Sequence, residues 1–472
     1  MKLSIPSEIR LKIWPRALVF ILVFGACQNY FNGQLGYPSK LWFQGDSWEY
    51  QTIAVNLIYG HGYRPGIVEP FETYVSSVTP NTTKIQWHEY PEQFYRTPGY
   101  PLFLAAVYVV FGIRAEAAMA AQAVLLSLCF ATLPILAWHY FGVIGLLAGL
   151  LSILKIFYSQ YYFIFNVNDT YTEVLQCAGL MLLALSWLGR ETGKIGMALF
   201  GFFCGLNLLI KGAFIFFPVI VLIHDLVRRK SLKSMALWFI VMLLTLAPWS
   251  IYASWKTGHL VVISTQGSGA VLEGNNEKSL RSGYWAPDGK YYERADLRDK
   301  STLTKLVNFY LDQTPEDIWI MWRQKISNIL YDVFMPSMVV FVLILCCIVS
   351  TRKKMKCGIL WCASIFICIS FFMDTRFPHG HFWSGLLMFG FLILFDAKNW
   401  VRLEEVFPPL ERLAFPLLLT VNIFMITFII FGLRRYFAPY HIFIMPLSYI
   451  LPLACVKALY LSRRFWHASK KI

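Results

Sequence analysis

The sequence predicts an all-helical, polytopic membrane protein with about 12 transmembrane helices, and three observations carry that expectation. Apolar residues make up 57% of the chain and charged residues only 15%, a balance outside the range of ordinary soluble domains. The apolar residues are gathered into runs of about 20, the length a helix needs to cross ~30 Å of hydrocarbon. Between these runs stand short clusters of Lys and Arg, the pattern of cytoplasmic loops. The formal net charge of +15 is therefore loop charge and not a nucleic-acid footprint, and nucleic acid is excluded as a partner.

The first apolar run, 13–31, follows Lys2, Arg10, Lys12 and Arg16 and lacks a small-residue cleavage site, so it reads as an uncleaved span. Helices are expected at 115–138, 142–163, 172–190, 234–254, 332–350, 357–373, 382–397, 413–433 and 438–461. The run 98–112 reaches roughly 22 Å, which is compatible with a partial or a full crossing. The run 194–227 is too long for one crossing and is interrupted at Lys211-Gly212, which predicts two helices meeting there. With the N-terminus inside and 98–112 not crossing, Arg190/Lys194, Arg228 to Lys233, Arg352 to Lys356, Lys398/Arg402/Arg412 and the basic C-terminal residues all fall on the cytoplasmic side. A crossing at 98–112 would invert every later assignment.

The domain organisation follows. Residues 1–254 form an N-terminal transmembrane module containing a first outer loop, 32–97. Residues 255–330 form a second outer loop, whose amphipathic stretches 301–311 and 315–330 are expected to lie against the membrane surface. Residues 331–472 supply the C-terminal transmembrane helices. Both loops fall on the non-cytoplasmic side and together can roof one cavity. All ten cysteines lie in apolar segments, with neither a disulfide framework nor metal-ligand spacing.

Chemistry is expected first at Gly45-Asp46-Ser47-Trp48-Glu49. On a helix the i, i+3 spacing puts Asp46 and Glu49 on one face, and apolar neighbours can raise one of them toward the range of a general base. The plain alternative is a solvated loop carboxylate. A second acidic stretch holds Asp169 and Glu173, with Glu173 just inside a helix, where an unpaired charge is costly; the alternative is a helix-start carboxylate with Thr170 or Thr172 as cap. Lys155 stands within an apolar helix and is either functional or snorkels outward. The aromatics at 42, 43, 48, 50, 87, 90, 94, 95 and 100 read as an interfacial belt, or as stacking partners for a sugar face.

A series of stretches stands along the chain: Gly45 to Tyr50 with Gly60-His61-Gly62-Tyr63; Tyr95-Arg96-Thr97-Pro98-Gly99-Tyr100-Pro101; Thr172-Glu173; Gly205 to Gly212; Ala247-Pro248-Trp249; Ser264-Thr265-Gln266-Gly267 with Gly274-Asn275-Asn276; and Arg435-Tyr436-Phe437-Ala438-Pro439. Together they resemble the GT-C superfamily of integral-membrane glycosyltransferases, most of all the bacterial branch related to the protein mannosyltransferases (glycosyltransferase family 39) and the lipid A aminoarabinose transferase. They occur in the family's order over nearly the whole chain. Two positions depart: Lys211-Gly212 stands where relatives often have Arg-Pro, and Tyr252-Ala253 where they have Arg-Asn.

The resemblance implies an inverting transfer of a sugar from a polyprenyl-phosphate-linked donor to a hydroxyl of a protein, lipid or glycan acceptor. The expected setting is the non-cytoplasmic face of a bacterial inner or cell membrane. Asp46 is the expected base or acceptor-positioning residue, with Glu173, Asp169 and Glu49 in support. Lys211, Arg96, Arg434 and Arg435 are expected at the donor phosphate, with Arg376, His379 and His381 as further outer groups. No cofactor is required; Mg²⁺ or Mn²⁺ is compatible with Asp46 and Glu173. The alternative is a transporter or flippase for a lipid-linked sugar, which would show repeated halves with broken helices.

Overall fold

The computed structural model describes residues 7–33, 35, 45–66, 92–158, 167, 172–282, 297, 300–325 and 413–429, with isolated positions between 439 and 457. Among them there is no strand, and the chain is an all-helical polytopic membrane protein. Ala115–Phe157, Thr172–Gly189 and Leu232–Thr257 are long and apolar enough to cross a bilayer, and Gly99–Phe111, Lys194–Ile210 and Gly212–Val227 are shorter apolar helices. The expected spans at 332–350, 357–373 and 382–397, and most of 438–461, lie outside the described residues.

In chain order the helices are α1 (Ser7–Asn32), α2 (Gly45–Ile58), α3 (Gly99–Phe111), α4 (Ala115–Tyr158), α5 (Thr172–Gly189), α6 (Lys194–Ile210), α7 (Phe216–Val227) and α8 (Leu232–Thr257). They continue with α9 (Gln266–Glu273), α10 (Ser279–Ser282), α11 (Thr302–Asp312), α12 (315–325) and α13 (Ala414–Ile429). The chain divides into two compact units, one of residues 1–132, 161–328 and 421–439, the other of 133–160, 329–420 and 440–472.

The two helices expected at 115–138 and 142–163 are joined within α4 by a reversal at Gly142, which lies in the part of α4 that belongs to the second unit and whose φ of 64° favours glycine. A Cβ at Gly145 would overlap the Ala137 carbonyl, and one at Gly149 would sit 2.7 Å from Pro134 Cα, so the chain folds back on itself there. Lys155 is exposed on this helix, which agrees with an outward-reaching lysine.

In the first unit, α5 and α6 are antiparallel and closely packed through small residues: Gly196 against the Gly189 carbonyl, and Gly179 against Asn207. The lengthy run after Lys194 does divide where expected. α6 ends at Ile210, Lys211 is extended (φ −152°, ψ 119°), and a single 3₁₀ turn, Gly212–Phe214, leads into α7. Helix α8 then runs parallel to α6, with Gly201 against the Trp238 carbonyl and Gly205 against Met242 and Thr245. Ser231 caps the start of α8 by accepting from Ser234 N, and Gly258 in the left-handed region ends it.

The basic groups at 190–194 and 228–233 therefore meet at one end of this bundle. Arg190 is buried there against Asp225 (2.9 Å) and lies over the Trp187 ring at 3.5 Å, while Lys230 reaches Glu191 at 2.6 Å. Lys211 and Glu173 stand at the opposite end.

The segment between α1 and α3 holds α2, whose polar residues Gln51, Thr52 and Asn56 are buried, so hydropathy alone does not reveal it. The segment after α8 contains helices at the expected amphipathic stretches, over Thr302–Asp312 and 315–325. Leu303, Val307 and Leu311 form an exposed i, i+4, i+8 stripe on α11. The inner side is tied by Asn275, whose Nδ2 donates to the carbonyls of Val271 and Ile429 and whose Oδ1 accepts from Tyr310 and Lys325, each at 2.8 Å. Burial pushes Lys325 down to about 7. Of the aromatics expected in an interfacial belt, Tyr50, Phe94 and Tyr100 are buried core residues, Trp48 is partly buried and Tyr95 is exposed, whereas positions 42, 43, 87 and 90 lie outside the described residues.

Because a Cβ at Gly201 would overlap backbone of α8, which cannot swing aside, Gly201→Ala is expected to cost about 1–3 kcal/mol. Gly25→Ala, at a position with open space, is expected to be neutral. Thermal denaturation of the two variants in the same detergent checks the contrast.

Candidate active site

The site begins with the first turn of α2. Asp46 and Glu49, three residues apart, both face Arg96: its Nη2 meets Asp46 Oδ1 and its Nε meets Glu49 Oε2, each at 2.6 Å. The guanidinium lies 5.4 Å from the Tyr50 ring centre and 5.0 Å from that of Tyr95. Burial works against the charge on Arg96, but Tyr50, Asp46 and Glu49 outweigh it and hold its pKa above the ordinary arginine value.

The second half is built where α5 starts and α6 stops. Glu173 Oε1 accepts from Lys211 Nζ at 2.7 Å, with both side chains under a tenth exposed. Ending α6 at Lys211 releases the Ile210 carbonyl, and Thr97 Oγ1 donates to it at 2.7 Å. Gly99 sits so close to Ile210 that a Cβ there would lie 2.8 Å from its Cα. The strap 92–98 is thereby fixed against α6, and Arg96 and Thr97 project toward the Lys211 end.

The strap has its own latch. Glu92 Oε1 accepts from the Tyr63 amide (3.3 Å) and the Tyr252 hydroxyl (2.8 Å), and Oε2 pairs with Lys256 at 2.9 Å. Gly62, at φ +84°, leaves room for that carboxylate, which a Cβ would overlap. The Tyr63 hydroxyl lies 3.0 Å from both the Arg96 and Thr97 carbonyls. Tyr63, Phe94, Trp249 and Tyr252 form one aromatic cluster. Trp249 Nε1 donates to Ile263 O at 2.6 Å, and Thr265 N to Phe94 O at 2.8 Å, so the chain after α8 is laced to the strap. Tyr252, at one of the two departures from the family pattern, serves this latch.

Asp46, Arg96, Glu173 and Lys211 all line one cavity of about 510 Å³ within the first unit. Tyr50, Thr97 and Thr172 complete its polar wall, and Ser264 and Gln266 contribute further polar groups. The remaining wall is apolar, from Ile215, Phe216, Val262, Ile263, Ile426 and Ile429.

Four expected site residues thus come together. Glu49 does not line the cavity and reaches it only through Arg96. Asp169, Arg434 and Arg435 lie outside the described residues, as do Arg376, His379 and His381. Among the described residues no group of three or more His, Cys, Asp or Glu gathers for a metal. Mg²⁺ or Mn²⁺ would compete with Arg96 for Asp46 and with Lys211 for Glu173. Sequence reasoning missed Glu92, although it lies near the Tyr95-Arg96-Thr97-Pro98 motif, and missed the hydroxyls of Thr97 and Thr172 as lining groups.

No family model matches this sequence, and neither does any curated protein. Among solved structures, that of ArnT from Cupriavidus metallidurans bound to undecaprenyl phosphate is similar over 94% of this chain and 77% of that one, with 12% identity and a TM-score of 0.39.

Burial opposes ionisation of Glu92, but Lys256 and Tyr252 outweigh it and hold the carboxyl below its ordinary value of 4.5. A group with a depressed folded pKa stabilises fully above its unfolded value, and that contribution is lost as pH falls through the folded one. The melting temperature of the protein is expected to exceed that of Glu92→Gln at neutral pH, and the gap to narrow as pH drops below 4.5. Melting curves recorded across the acidic range check this.

Proposed function

We propose that the chain is a membrane glycosyltransferase of the GT-C type that moves a sugar from a polyprenyl-phosphate donor to an acceptor hydroxyl. The observation that carries this reading is the mixed lining of one cavity, where cations and carboxylates stand together with aliphatic side chains. An amphipathic ligand with an anionic head and a hydrocarbon tail fits such a surface better than a free sugar or a free lipid does. The buried ion pairs support the same reading, since ionised groups held in a membrane protein are expensive and mark functional sites.

In the proposed reaction, the acceptor oxygen attacks the anomeric carbon from the side opposite the phosphate. The bond from that carbon to the phosphate oxygen breaks, its electron pair stays on the phosphate, and the configuration inverts. The acceptor's proton passes to Asp46. Arg96, 2.6 Å from Asp46 Oδ1, orients that carboxylate, so Asp46 acts as a positioned acceptor that takes the proton as the new bond forms. Lys211 stabilises the charge left on the departing phosphate, with Arg434 and Arg435 as further candidates, and Arg96 contributes from the other side. Glu173 holds Lys211 in the cavity. The step proceeds without a covalent enzyme intermediate and without a required metal.

The cavity end of the bundle is proposed to face the periplasm or exterior of a bacterial cell, with the Arg190 and Lys230 end in the cytoplasm, as the distribution of basic loops favours. An impermeant thiol reagent applied to intact cells is expected to label a cysteine placed at Glu49 and to spare one placed at Lys230.

The test of the activity is incubation of the purified protein with a panel of polyprenyl-phosphate sugars, following loss of donor and gain of mass on candidate acceptors. Asp46→Asn is expected to lower transfer by roughly 10²- to 10⁴-fold with helix content unchanged. A folded Asp46→Asn protein with full activity would overturn the role given to Asp46.

A further inference from the structure

The cavity's cations are matched before any ligand arrives. Lys211 rests on Glu173 at 2.7 Å, and Arg96 engages Asp46 and Glu49 through two of its nitrogens. The four charged residues lining the cavity sum to zero, and Glu49 behind them adds a further negative charge. A strongly anionic ligand entering here meets a neutral surface, not a cationic trap.

The two cations differ in what they can do next. Arg96 has its fork occupied from two directions and is held by aromatic rings, whereas Lys211 carries a compact ammonium on a flexible stem and can turn from one oxygen to another. Lys211 is thus the cation that can address an incoming phosphate. Glu173 stays close when it does so. Its side chain is buried in the first turn of α5 with the Thr172 hydroxyl 3.4 Å from Oε2, and the Gly179–Asn207 contact leaves α5 and α6 no room to close further. Once Lys211 turns, the Glu173 carboxylate stays beside the phosphate in a partly desolvated cavity, where like charges are costly. That cost rises with each negative charge on the ligand.

We infer that Glu173 is a specificity-determining residue that, as the fixed counter-ion of Lys211, admits a singly charged phosphodiester and discriminates against pyrophosphate-linked and doubly charged lipids. The inference rests on reading the cavity as a lipid-phosphate site and adds to it the charge class of the donor. A sugar joined to a prenyl chain through one phosphate carries one negative charge. The prenyl phosphate left after transfer ionises a second time near neutrality. The same carboxylate that tolerates the donor therefore favours release of the product.

The test uses the full-length protein in lipid nanodiscs and three probes: farnesyl methyl phosphate, farnesyl phosphate and farnesyl pyrophosphate. The unaltered protein is expected to bind the singly charged diester more tightly than the pyrophosphate. Glu173→Gln is expected to tighten pyrophosphate binding on the order of tenfold while moving the diester by less than about threefold. Asp46→Asn, which removes a carboxylate from the same cavity without touching the Lys211 pair, is expected to shift the ratio less. Glu173→Ala repeats the measurement should the glutamine variant lose its helical signal. A folded Glu173 variant that weakens all three probes alike, or leaves their ratio unchanged, overturns the role of Glu173 alone. Failure of the unaltered protein to bind any of the three overturns the lipid-phosphate reading, and this inference with it.

Discussion

A lysine and a glutamate that meet inside an apolar bundle constrain much of this structure. Neither charge is tolerable there alone, because stripping an ion of water costs several kcal/mol unless a partner stands beside it. Glu173 is in the first turn of α5 and Lys211 directly follows the last turn of α6. Each lies where the helix dipole favours its sign. Meeting there requires α5 and α6 to be antiparallel and close, which their glycines permit. It also requires α6 to stop, and the carbonyl released by that stop is the one Thr97 takes. The strap carrying Arg96 is therefore set by the same break in the helix that sets Lys211, so the two cations of the cavity are positioned by one local event.

The latch around Glu92 completes the arrangement from the other side. Tyr63 comes from the turn after α2, Tyr252 and Lys256 from the last two turns of α8, and all three converge on one carboxylate. The cluster of Tyr63, Phe94, Trp249 and Tyr252 packs beside it and carries two of the groups involved, Tyr63 and Tyr252. Arg96 is thereby presented to Asp46 by a segment with little freedom of its own.

Much of this was legible in the sequence because it rests on local spacing. The i, i+3 interval of Asp46 and Glu49, the carboxylate at a helix start and the polar break in an apolar run are all short-range signals. The fold class follows from run length and loop charge alone. What sequence spacing could not give is which distant residues meet. Arg96 lies nearly 50 positions from both of its carboxylates, and nothing local distinguishes a bridging arginine from one bound to phosphate. Nor does hydropathy separate a buried aromatic from an interfacial one, which is why Phe94 and Tyr100 read as belt residues and proved to be core. The pair Asn275-Asn276 stood out by resemblance, but its observed bonds are to its own helix, its following turn and neighbouring segments, so its visible task is to hold the second outer loop together.

The pair at the other end of the bundle bears on how the chain is assembled. Arg190 closes the turn between α5 and α6 with Glu191 3.5 Å away, yet the carboxylate buried against it, Asp225, belongs to α7. As the chain is made, α5 and α6 emerge before that buried partner exists, and the guanidinium gains it only when α7 returns to the same end. The order of synthesis therefore completes the basic end of this bundle from its third helix.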